Sequence, residues 1–197
     1  MAEHEYKLGQ TSLGRLETVD PRFKEIMEEA IKTSPHDFGI AGGGRSEEEQ
    51  WVIYKQGREL IPDGDPTNPA DYKIVGKTFT GQASSEKKLM ESRHVRVKGQ
   101  SLSRAIDISV LRPGKEGGPK TYVTGDTAEG EQMYRDVVSH IRKTADTMSG
   151  GKYKDILEWG GDWDTPDLPH LQVKDIQVPT GEDIAMGAML SEEREVI

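Results

Sequence analysis

The chain has 197 residues and a mass of 21.9 kDa, enough for one domain with a real core and marginal for two. Asp and Glu outnumber Lys and Arg by 35 to 26, a net charge of −9 that argues against a nucleic-acid partner. The absence of cysteine excludes a disulfide scaffold, Cys-ligated zinc, iron–sulfur clusters and thiol catalysis.

Hydrophobic residues make up only 33%, and no apolar run approaches the ~20 residues of a membrane span. The N-terminus carries no signal-peptide apolar region. Any chemistry must therefore use His, Asp, Glu, Ser or Arg, or a metal that they hold. Only five histidines are available: His4, His36, His94, His140 and His170.

In chain order, a short amphipathic segment around Leu8, Leu13, Leu16 and Val19 comes first. Asp20-Pro21 then reads as a helix start, a capping carboxylate followed by proline at the first helical position. Phe23, Ile26, Met27, Ala30 and Ile31 recur at the spacing of one buried helical face. Residues 37–41 suggest a short strand running into Gly42-Gly43-Gly44. Ser46 and Glu49 form a capping box that opens a helix through Trp51, Ile53 and Tyr54, ending near Gly57.

Residues 58–91 are rich in turn formers and read as a loop-rich surface insertion. A buried strand is expected over 105–111 and a short one over 121–123, with a turn-rich stretch between them. Tyr134, Val137, Val138, Ile141, Ala145 and Met148 share one face of the longest helix, from about 129 to 148, which Gly150-Gly151 ends. Strands at 156–159 and 170–173 flank a loop of glycines and aspartates. The expectation is an α+β domain over residues 1–173, with helices on one side of a small, mainly antiparallel sheet, and a tail over 174–197.

Four places concentrate residues with chemical potential. Arg45 sits between a glycine turn and a helix N-terminus; it is either an exposed neighbour of the cap or an anion site. His94 follows Ser92-Arg93 and reads as a surface histidine or a ligand. Asp107 stands inside the apolar run Ala105-Ile106-Asp107-Ile108, where a carboxylate must face solvent, be paired or bind a metal. The stretch from Trp159 to His170 offers three aspartates and a strand-initiating histidine, with Asp167 three residues before it. His94, Asp107 and His170 together make a two-histidine, one-carboxylate set that suits an open zinc site.

These residues resemble the zinc peptidases of the D-Ala-D-Ala carboxypeptidase and phage L-alanyl-D-glutamate endopeptidase group, which share the hedgehog fold. The stretch from Tyr6 to Pro21 is similar to the N-terminal stretch of phage endolysins of this group. Asp37 to Ser46, with Gln50, is similar to their G-x-R-[ST] segment. Ser92-Arg93-His94 and Ala105-Ile106-Asp107 look like the two ends of S-x-H-x-x-G-x-A-x-D; the 159–163 and 167–170 stretches look like G-x-D-W and D-x-P-H.

The resemblance implies that His94, Asp107 and His170 are Zn²⁺ ligands and that Asp167 is the catalytic acidic residue. It implies that Arg45 binds substrate and stabilises developing charge, with Trp159 and Trp163 as candidate cleft walls. One departure matters. The family histidine lies seven residues before the aspartate, where this chain has Gln100, and Ser103 replaces the motif glycine. Either residues 95–99 are an inserted loop and His94 remains the ligand, or the ligand is lost.

The implied activity is hydrolysis of peptidoglycan stem peptides, as an L-alanyl-D-glutamate endopeptidase or a D-Ala-D-Ala carboxypeptidase. The alternative is a non-catalytic structural or host-binding module of a virion. The implied locations are the host cytoplasm until lysis and then the cell wall, or the virion. No membrane insertion is expected, and oligomeric state is left open.

Overall fold

The computed structural model describes residues 6–96, 102–114 and 119–174. Helix α1 (Gln10–Leu16) precedes α2 (Pro21–Ala30), which begins where Asp20 accepts a hydrogen bond from the Arg22 backbone N–H. Strand β1 (Asp37–Gly42) leads to α3 (Glu47–Lys55), whose capping box forms in both directions: Ser46 Oγ accepts from Glu49 N, and Glu49 accepts from Ser46 N. Then come β2 (Arg58–Leu60), β3 (Tyr72–Ile74), α4 (Glu86–Met90), β4 (Ala105–Arg112), β5 (Thr121–Tyr122), α5 (Ala128–Thr147), β6 (Leu157–Trp159) and β7 (His170–Val173). No helix among the described residues is long and apolar enough to cross a membrane.

The main sheet runs β1-β4-β7-β6, with β5 also paired to β4, and every pairing is antiparallel. Its two faces follow from the two-residue period of a strand. Ile106, Ile108 and Val110 of β4, Leu171 and Val173 of β7, and Leu157 and Trp159 of β6 point one way. They pack with Phe23, Ile26 and Met27 of α2 and Val137, Val138 and Ile141 of α5 into one core. The intervening residues Asp107, His170, Gln172 and Glu158 therefore project from the opposite face. The expected α+β architecture is what the chain adopts.

Residues 58–91 are more ordered than their turn-rich sequence suggests. They contain the antiparallel β2–β3 hairpin and α4, organised around a second apolar cluster of Tyr54, Tyr72, Ala83 and Leu89. The three rings of Trp51, Tyr54 and Tyr72 meet edge-on or tilted, with centroids about 6 Å apart. Aromatic residues spaced 18 apart in sequence supply this cluster, so no local periodicity announces it. The tail expected over 174–197 lies outside the described residues beyond Lys174.

Candidate metal centre

Asp107, His170 and His94 converge on the face of the sheet away from the core. Asp107 and His170 are direct cross-strand partners in β4 and β7. His94 arrives from the segment before β4. Its Nε2 lies 3.3 Å from His170 Nδ1 and 3.2 Å from Asp107 Oδ1, and His170 Nδ1 is 3.6 Å from the same oxygen. One donor atom from each residue thus falls within 4.8 Å of the other two. Both histidines are buried, and Asp107 is half-buried.

The segment carrying His94 is held at both of its described ends. Arg45 N donates to His94 O at 2.8 Å, and Arg96 N donates to Arg45 O at 2.9 Å. Farther on, Ser103 N donates to Thr18 O and Asp20 N donates to Ser103 O. The extra residues between His94 and Asp107 are thus accommodated between two anchored ends, although residues 97–101 lie outside the described residues. Loop closure costs little for such an excursion.

Each imidazole is oriented through its other nitrogen. His94 Nδ1 lies 3.0 Å from Gly43 O, and His170 Nε2 lies 3.1 Å from Gln172 Oε1. Carbonyl oxygens only accept, so those nitrogens carry the hydrogens and the inward-facing nitrogens are bare in the neutral rings. Two imidazole lone pairs and a carboxylate then share one small volume, an arrangement that needs a proton or a cation. Burial alone would push the Asp107 carboxyl up, but hydrogen bonds with His170 and His94 hold it well below the usual carboxylate range. Burial would push His170 down, but Asp107 and Gln172 bring it above its ordinary value. The donor set fits a divalent metal ion, because it combines two imidazoles with a carboxylate.

Arg45 stands beside this set. Its guanidinium donates to Asp107 Oδ2 at 3.3 Å and to Gln50 Oε1 at 3.0 Å, which uses two of its five N–H donors. Asp167 is exposed on the same cleft, and partial removal from water raises its carboxyl above the ordinary value against the pull of His170. Trp163 leans over His170 with ring centroids 5.0 Å apart, whereas Trp159 is buried in the core and donates its indole N–H to Leu168 O. Of the two tryptophans, only Trp163 lines the cleft, which has a volume of about 530 Å³. Phe79 to Ser84 of the 58–91 segment also line it.

The other described histidines serve packing. His36 Nε2 lies 3.3 Å from Asp136, and His140 Nε2 lies 3.0 Å from Ala30 O, both pinning α5 to the preceding elements. His4 lies outside the described residues. Sequence reasoning missed Gln172 and Glu158, polar residues at alternate positions in apolar strands; that alternation was the available signal.

Two glycines make room for the site. A Cβ on Gly160 would approach Asp167 O to 2.5 Å, so only glycine lets the 167–170 turn close onto it. A Cβ on Gly42 would stand 2.4 Å from Asp107 Oδ2. Gly42→Ala is therefore expected to turn the Asp107 carboxylate away from its partners and to weaken Zn²⁺ binding by about 10–100-fold, measured by chelator competition. An unaltered affinity would show that Asp107 has room to spare.

Residues 4–68 match the family model of the phage L-alanyl-D-glutamate peptidases. That match includes Arg45 and stops before His94, Asp107 and His170. The crystal structure of the Serratia marcescens L-Ala D-Glu endopeptidase ChiX aligns over 87% of this chain and 92% of its own, with 21% identity and a TM-score of 0.53. No curated protein matches the sequence. The chain is thus similar in sequence, over residues 4–68, to the phage L-alanyl-D-glutamate peptidases, and it shares the fold of an L-Ala-D-Glu endopeptidase.

Proposed function

We propose that the chain is a zinc-dependent peptidase that hydrolyses peptidoglycan stem peptides at the L-alanyl-D-glutamate bond. The observation that carries this reading is the convergence of His94, Asp107 and His170 at the floor of a cleft that also holds Arg45 and Asp167. Bound Zn²⁺ would supply Lewis acidity, polarising a carbonyl and making water nucleophilic near neutral pH.

The chain's own residues have distinct tasks. His94, Asp107 and His170 hold the ion. Arg45, fixed by Asp107 and Gln50, presents its remaining donors to a substrate carboxylate or a developing oxyanion. The Asp167 carboxylate takes a proton from the attacking water and hands it to the leaving nitrogen; its raised affinity for protons suits both steps. Trp163 and the 79–84 segment wall the cleft and exclude water from the peptide laid between them.

The test is metal analysis followed by mass spectrometry of peptidoglycan digested by the zinc-loaded protein. About one zinc per chain is expected, with fragments carrying new alanyl carboxyl and glutamyl amino termini. Release of free alanine instead would make the enzyme a carboxypeptidase. Intact peptidoglycan with metal-replete protein would reduce the chain to a non-catalytic module.

A further inference from the structure

The least expected polar residues in the sheet are Glu158 and Gln172. They are direct cross-strand partners in β6 and β7, on the same face as His170, which precedes Gln172 by two residues. Glu158 accepts the indole N–H of Trp163 on Oε1 at 2.8 Å and the Gln172 amide N–H on Oε2 at 3.0 Å. An ionised carboxylate has only acceptors to offer, so both partners must present N–H groups. This fixes the Gln172 amide with its nitrogen toward Glu158 and its oxygen toward His170 Nε2, 3.1 Å away. That oxygen in turn requires the proton on Nε2 and leaves Nδ1 bare, facing His94 and Asp107. Hydrogen bonds from Trp163 and Gln172 also hold the Glu158 carboxyl below its ordinary value, consistent with a permanent acceptor.

We propose that Glu158 and Gln172 are positioning residues that set the tautomer and the ring orientation of His170, and that they tie the Trp163 cleft wall to the same ring. The hydrogen bonds converge on Glu158: His170 Nε2–H donates to Gln172, the Gln172 amide donates to Glu158, and the Trp163 indole donates to Glu158 from the other side. The inference rests on the reading of His170 as a metal donor only for its consequence; the tautomer itself is a property of the metal-free chain. Residues at this distance from an ion commonly alter its affinity by 10–100-fold.

The experiment compares the full chain with Gln172→Leu, which keeps the bulk of the side chain and removes its polar atoms. The first readout is ¹⁵N NMR of His170 in metal-free protein, taken on the plateau above the end of the imidazole titration, where the ring is neutral. Wild-type protein should show Nε2–H alone, and the variant a mixture of tautomers. The second readout is Zn²⁺ affinity by chelator competition, which should fall about 10–100-fold. Glu158→Gln offers one acceptor where two are needed and should produce a smaller shift of the same kind; it also serves if Gln172→Leu does not fold.

An unchanged tautomer in either folded variant would overturn the proposal, as would a mixed population in the wild-type chain. If wild-type protein binds no zinc but Gln172→Leu still mixes the tautomers, the positioning role stands and the metal reading falls.

Discussion

His94→Ala is expected to abolish turnover and to lower Zn²⁺ affinity by at least about 10³-fold, roughly 4 kcal/mol at 1.4 kcal/mol per tenfold. The estimate starts from geometry. His94 contributes one of three converging donor atoms, at 3.2 Å and 3.3 Å from the other two. Losing even an outer partner of a ligand costs 10–100-fold, so losing the ligand costs more. Fold stability should change little. The lost hydrogen bond to Gly43 is worth about 1 kcal/mol, and removing one lone pair from a crowded cluster offsets part of it. His36→Ala is the control, because His36 pairs with Asp136 midway along α5, away from the cleft, and should leave zinc and turnover untouched. Stoichiometric zinc and full turnover in His94→Ala would overturn the ligand assignment.

The readable parts of this protein are those in which chemistry and period coincide. Asp20-Pro21, the Ser46–Glu49 box and the apolar faces of α2 and α5 are local signals, and each became the element it announced. Asp107 was legible as an anomaly, a carboxylate in an apolar strand, and its position opposite His170 follows from antiparallel pairing. What the sequence does not display is contact between residues far apart. The Tyr54–Tyr72 cluster joins residues on either side of a turn-rich stretch, and composition alone disguised it as loop. Gln172 matters only because β6 lies beside β7 and brings Glu158 to it. The choice between Trp159 and Trp163 depended on which face of the sheet each meets, since residues 159 and 163 straddle the turn at Gly160.

The same division between core and insertion predicts the effect of Arg58→Met. Arg58 is buried at 7% exposure, and its guanidinium lies 4.2 Å from the centre of the Tyr54 ring. It donates to Tyr54 O at 2.6 Å, to Thr80 O at 2.6 Å and to Gly81 O at 3.1 Å. Those carbonyls belong to α3 and to the cleft wall, so one side chain fastens the wall to the helix beneath it. Methionine fills the space but satisfies none of the oxygens. Hydrogen bonds from a charged donor are worth about 1.5–3 kcal/mol each, and burying their acceptors unmade adds to the loss. We therefore expect the wall to open locally at a cost of roughly 3–5 kcal/mol. The main core of α1, α2, α5 and the five-stranded sheet shares none of these contacts, so the melting temperature should move by only a few degrees. Amide exchange should accelerate over 72–84 and not over 105–111 or 134–145. Catalysis should suffer mainly in KM, because Phe79 to Ser84 line the cleft while Asp107 and His170 sit on the main sheet. Arg58→Lys should recover little, since an ammonium cannot match the planar fork that reaches the carbonyls of α3 and of the cleft wall at once. Uniform exchange across the whole chain would instead make Arg58 part of the global fold, and an unaltered KM would show that the wall does not touch the substrate.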